Sequence, residues 1–139
     1  MLTPEDRKSV VDVRIEHADE TLRELKGIVE GKFWYAAANR MYYACYYVVS
    51  ALLIQHGIAA STHSGVIRMF GLHFVKTGLV SEDIGAFYSQ VFEFRQAGDY
   101  DDWVVIEEKD VMPLMDKIEE FISVIKSLID NKRQEQSVK

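Results

Sequence analysis

The sequence of 139 residues has one cysteine, two prolines and no histidine beyond His73. A single thiol, Cys45, cannot close an internal disulfide. The N-terminal stretch MLTPEDRKSV holds no apolar segment of the signal-peptide kind, so a reducing, cytoplasmic setting is expected. Long hydrophobic runs are also missing. The longest, Met41 to Ile54 (MYYACYYVVSALLI), has 14 residues, whereas a bilayer-spanning helix needs about 20, so no membrane span is expected. Positive charge is scarce, with 16 Lys and Arg against 22 Asp and Glu and a net charge of −6. Nucleic acid is therefore not held by overall field, and any RNA contact has to be local. There is no phosphate-binding glycine loop, no dinucleotide fingerprint and no Ser/His/Asp order. What is present is 48% hydrophobic content, enough for one substantial core and one domain over residues 1–139.

The hydrophobic spacing predicts helices throughout. Thr3, Pro4 and Asp6 make a helix start, and Val11, Ile15, Ala18, Leu22, Leu25 and Val29 form one stripe that ends at Gly31. The segment FWYAAANRMYYACYYVVSALLIQHG is apolar on nearly every face, so its helix should be central, capped by Gly57. Ser61 or Thr62 caps a third helix that carries Val66, Phe70 and Phe74 inward and stops at Gly78. Ser81, with Glu82 and Asp83 behind it, starts a fourth that buries Ile84, Phe87, Val91 and Phe94 and ends near Gly98. For the fifth, Asp110 as cap places Pro113 in a tolerant first turn. Leu114, Ile118, Phe121, Ile125 and Leu128 then face inward, and the last eight or so residues form a frayed tail. The expected fold is an all-α, up-and-down bundle of about five helices around a four-helix core.

Few residues offer chemistry. None of the four histidines has a partner at metal-ligand spacing, and neither metal nor cofactor is expected. His17 reads as solvated, His56 as part of a helix C-terminus, and His73 as half-exposed beside Lys76. His63 stands apart, because STHSG puts it in a first helical turn where backbone N–H groups favour anions. Arg40 sits among aromatics and alanines and needs an acceptor to offset its desolvation. Asp99 is the expected partner, with anion binding by Arg40 as the alternative. Tyr35, Tyr42, Tyr43, Tyr46 and Tyr47 at helical spacing suit a core or a dimer surface better than base stacking.

The run from Ala36 to Gly78, AAANRMYYACYYVVSALLIQHGIAASTHSGVIRMFGLHFVKTG, followed by FRQAGDY at Phe94–Tyr100, resembles the HEPN family (higher eukaryotes and prokaryotes nucleotide-binding domains), in particular its small stand-alone prokaryotic members. The resemblance implies a helical domain, often a homodimer, frequently paired with a minimal nucleotidyltransferase in toxin–antitoxin or defence systems. Many members are metal-independent ribonucleases whose signature is an arginine followed after four to six residues by a histidine. The arginine corresponds to Arg95, but the histidine positions hold Tyr100, Asp101 and Asp102. The tyrosine that nucleotidyltransferase partners modify in some members corresponds to Asp102, so that feature is not reproduced either.

This departure has a chemical consequence. Cleavage beside a 2′-hydroxyl needs a group that exchanges protons near neutrality; tyrosine, with a pKa of about 10, and aspartate, about 3.9, do not serve unshifted. Between Glu82 and Asp110 nine acids stand against two bases, a local field that repels RNA unless the acids face away. Three readings follow. In the first, FRQAGDYDDW is a binding segment of a homodimeric, non-catalytic or weakly catalytic HEPN protein, with Arg95, Asp99, Tyr100, Arg40 and His63 contacting a nucleotide, RNA or the nucleotidyltransferase partner. In the second, a ribonuclease toxin uses His63 as a base reaching the Arg95 cleft from another helix. In the third, the segment only ends a helix, with Arg95 paired to Asp99 or Asp102 and Tyr100 packed on the core.

Overall fold

A computed structural model describes the backbone of residues 2–138 and side chains through Gln136. Five α-helices follow one another: α1 (Pro4–Glu30), α2 (Trp34–Gln55), α3 (His63–Phe70), α4 (Glu82–Tyr100) and α5 (Glu108–Val138). No strand occurs among the described residues, and the fold is an all-α helical bundle. No helix among them is long and apolar enough to cross a membrane.

Three helix starts follow from their capping residues, whereas Phe33 ahead of α2 offers no side-chain cap. Thr3 and Asp6 form a reciprocal box at the head of α1, the Thr3 hydroxyl accepting from the Asp6 N–H at 3.0 Å. The Thr62 hydroxyl accepts from the Gly65 N–H at 2.9 Å, and the Ser81 hydroxyl from the Ile84 N–H at 3.3 Å. Two helix ends use a left-handed residue whose neighbours return N–H groups to the last carbonyls. At the end of α2 that residue is Gly57 (φ 70°); at the end of α1 it is Lys32 (φ 62°), one position past the expected Gly31. A Cβ at Gly31 would meet the exposed Phe33 ring at 2.6 Å, so a larger residue there would require that ring to turn aside.

As its all-round apolarity predicted, α2 is the central helix and packs against α1, α3, α4 and α5. Met41, Tyr42, Ala44, Cys45, Val48, Val49 and Leu52 are fully buried on it. Around them lie Phe70 and Phe74, Phe87, Tyr88 and Val91 of α4, and Ile118, Phe121 and Ile125 of α5. After Phe70 the third helix widens into one π-turn, Gly71–Val75, before Gly78 (φ 81°) ends it. Along their lengths α1 and α5 are joined by ion pairs at seven-residue steps, Asp12–Arg133, Asp19–Lys126 and Lys26–Glu119, which fixes them as antiparallel neighbours.

The fifth helix departs from expectation in three ways. It begins at Glu108, and Asp110 is a third-position residue whose carboxylate accepts from the Glu107 N–H at 2.9 Å. Pro113 consequently lies beyond the first turn, where its missing N–H leaves the Lys109 carbonyl without its helical donor. Ile122 and Ile129 are buried where Leu128 is only half-buried. The expected frayed tail is helical through Val138, because Arg133 reaches back to Asp12 and gives that end a partner; its final position, Lys139, lies outside the described residues.

Candidate functional site

On α4, Val91 is fully buried, and one turn later the same face presents Arg95 to α2. The Arg95 side chain is 12% exposed. Its Cζ stands 5.3 Å from the Tyr43 ring centre, 5.5 Å from Tyr42 and 5.8 Å from Tyr100, so three π-faces surround the cation. Nη2 lies 3.4 Å from the Tyr43 hydroxyl, at the long end for a hydrogen bond. Asp99 sets Oδ2 2.9 Å from Nε, yet off the N–H direction, so Nε keeps a close counter-charge without an acceptor in line. The guanidinium is compensated in charge but not saturated with acceptors, and its planar fork retains donors that an oxyanion fits.

His63 joins the same cluster from α3. The Thr62 cap starts the helix at His63 and sets its ring against the tyrosines. Nδ1 is 2.6 Å from the Tyr42 hydroxyl, and the ring centre is 4.8 Å from that of Tyr46 and 5.9 Å from that of Tyr43. Burial first, and the Arg95 charge second, hold the imidazole below its ordinary value of 6.5, so it is neutral at neutral pH. Burial, then the neighbouring Tyr46 and Tyr43, pushes the Tyr42 hydroxyl above its ordinary value, so it keeps its proton. With both groups neutral the contact has two forms: when Tyr42 donates to Nδ1, the imidazole proton is on Nε2, and when Nδ1–H donates to Tyr42, Nε2 is free of a proton.

Arg40 does not pair with Asp99. Its Nε and Nη2 donate to Asn39 Oδ1 at 3.1 and 2.8 Å, and Nη1 lies 3.9 Å from Glu24 of α1. Asp99 is taken by Arg95, four residues earlier on its own helix, a pairing that needs no alignment between helices. Arg40 still borders the cluster, with Cζ 5.1 Å from the Tyr43 ring centre.

The structure thus brings Arg95, Asp99, Tyr100 and His63 together, with Arg40 at the edge. Tyr42, Tyr43 and Tyr46 are the walls of this cluster, a role that helical spacing alone did not distinguish from plain core packing. The Arg95–Asp99 pair expected of a simple helix end is present, but Tyr100 is 75% exposed rather than packed. The acids around FRQAGDYDDW are dispersed: Glu82 and Asp83 sit at the opposite end of α4, Asp101 accepts from the Trp103 N–H, and Asp110 caps α5. Tyr35 donates to the Val104 carbonyl at 3.0 Å and pins the following loop, on which Trp103 is 92% exposed. Among the described residues no group of three or more His, Cys, Asp or Glu side chains is arranged to hold a metal ion.

With this geometry established, residues 11–128 match the HEPN domain family. The chain belongs to the HEPN family. Among similar HEPN-type chains, a UPF0332 protein of Thermotoga maritima is 38% identical over 91% of this chain and 96% of its own length. Two proteins of Methanocaldococcus jannaschii are named as toxins. "Putative toxin MJ0142" is 29% identical over 90% of this chain and 85% of its own, and "Putative toxin MJ0605" is 34% identical over 71% and 74%.

Proposed function

We propose that this HEPN protein is the phosphate-recognising component of a toxin–antitoxin-type module. It holds a nucleotide or an RNA segment on Arg95, as a homodimer, with a minimal nucleotidyltransferase as the partner chain. The single observation that carries the binding role is Arg95 itself, a mostly buried guanidinium ringed by Tyr42, Tyr43 and Tyr100 whose Nε–H has no acceptor in line. The module is supported by the two M. jannaschii relatives, whose names call them toxins. The partner and the homodimer rest on the family resemblance carried by Arg95 and the tyrosine-rich α2. In this account Asp99 serves as an internal counter-ion that a phosphate displaces, and the Nε2 proton of His63 supplies a second donor.

The ribonuclease alternative has one specific observation in its favour: His63 lies on the same tyrosine rings as Arg95, and the Arg95 charge acts on it. To serve as a base, however, its Nε2 would have to be free of a proton, which requires Tyr42 to accept from Nδ1–H instead of donating. The test compares the wild type with Arg95→Lys, which keeps the charge beside Asp99 but loses the fork. Saturable retention of a short labelled RNA in a chelating buffer, weakened about tenfold by Arg95→Lys with the RNA intact, supports binding. RNA cleavage that His63→Ala abolishes supports the enzyme.

A further inference from the structure

At the other end of α2 lies a cavity of about 760 Å³ where the start of α1, the end of α2 and the last turns of α5 meet. Arg7, Lys8, Lys132 and Arg133 line it together with His56, and no acid is among the lining residues. In a chain of net charge −6, this is a local excess of positive charge. Arg133 is compensated by Asp12, and one nitrogen of Arg7 donates to the Ile54 carbonyl at 3.1 Å. Lys8 and Lys132 have no ion-pair partner among the described residues. The floor is apolar, formed by Leu2, Pro4 and Val11.

Two details show that this corner is built rather than incidental. Gly57 takes a positive φ of 70°, and a side chain there would meet Arg7 Nη1 at 2.8 Å, so the α2 end leaves room for Arg7 to lie across it. Gln55, which also lines the cavity, is 7% exposed; its Nε2 donates to the Ile129 carbonyl at 2.9 Å, while its buried Oε1 accepts from no described residue. As an acceptor it repels a phosphoryl oxygen, so an anion in this cavity has to sit on the lysine side rather than against Gln55.

We infer that this cavity is a second anion site, for a small phosphate monoester whose phosphoryl group sits on Lys8, Lys132 and Arg7 and whose apolar body covers Leu2, Pro4 and Val11. A dianion matches the two uncompensated lysines, and the volume suits a small molecule rather than a polymer segment. Such a ligand ties α5 to the ends of α1 and α2, so it acts on stability and on the outer end of the bundle, independently of Arg95.

The test uses phenyl phosphate as probe and inorganic phosphate as comparator, by calorimetric titration of the whole chain at about 0.15 M salt, where distant surface charges are screened. In Arg95→Lys, which removes the phosphate fork of the proposed functional site, phenyl phosphate is expected to bind once per chain and at least about tenfold more tightly than inorganic phosphate, because only it uses the apolar lining. Adding Lys8→Ala and Lys132→Ala to that background should weaken it by about tenfold or more. Both lysines lie outside the core, and unchanged helicity by circular dichroism confirms that the substituted chain folds. No saturable binding, equal affinity for both probes, or binding indifferent to the lysines would each overturn the proposal. Because the cavity is titrated with Arg95 already substituted, whereas the RNA experiment compares the wild type with Arg95→Lys, failure of one account is distinguishable from failure of the other.

Discussion

Replacing Asp99 by asparagine probes the counter-ion directly. The Arg95 side chain is 12% exposed and that of Asp99 33%, so the pair lies between an exposed ion pair, worth about 0–1 kcal/mol, and a buried one, whose disruption costs about 3–5 kcal/mol. A loss of about 1–2 kcal/mol follows, solvent screening at Asp99 keeping it at the lower end. With an unfolding entropy of about 2.1 cal/mol/K per residue, a chain of 139 residues has about 0.3 kcal/mol/K, so Tm falls by about 3–7 °C. The same substitution removes the carboxylate that competes with a phosphate for Arg95, so RNA retention should tighten as the fold loosens. Calorimetric melting and a filter-binding titration on one preparation read both effects. An unchanged Tm together with unchanged or weaker RNA retention refutes the counter-ion role.

Three further outcomes follow. Lys32→Gly should stabilise the chain by about 0.5–1 kcal/mol, since only glycine takes a φ of 62° without steric cost; a urea midpoint that falls would contradict this. Phe121→Ala should cost about 3–5 kcal/mol, because the ring is fully buried against Phe70, Phe87 and Tyr88, and a loss below about 1 kcal/mol by denaturant titration would mean that α5 is not packed there. His63 and His56 are both held below their ordinary 6.5, chiefly by burial. The unfolded chain therefore takes up protons first as pH drops through 6.5, and stability from these groups is complete above that value and declines below it. A Tm that rises between pH 7.5 and pH 5.5 in both the wild type and His63→Gln would oppose that sign.

Much of the fold was legible because its signals are local. Thr3 with Asp6, Thr62, Ser81 and Gly57 announce helix ends within a few residues, and the all-round apolarity of Met41–Ile54 places α2 at the centre. What was not legible depends on neighbours. Lys32 rather than Gly31 takes the left-handed position, with Lys32 N–H and Phe33 N–H returning to Val29 and Ile28, and Asp110 serves one turn inside α5 because Glu107 supplies the backbone ahead of it. Arg133 holds the polar end of α5 through an aspartate 121 positions away. At the site, Arg95 and Asp99 were readable as a pair four residues apart, whereas the approach of His63 depends on how α3 leans on α2. Arg40 was assigned the wrong partner because composition shows that a half-buried guanidinium needs an acceptor but not which helix it faces.

The central claim is that Arg95 holds phosphate without cutting the chain that carries it. Incubating a short end-labelled RNA with wild-type protein in a chelating buffer, and following both retention and length, tests this in one measurement. The account predicts intact RNA retained by the wild type and released by Arg95→Lys. Shortened RNA from the wild type, with full-length RNA from Arg95→Lys, would contradict it.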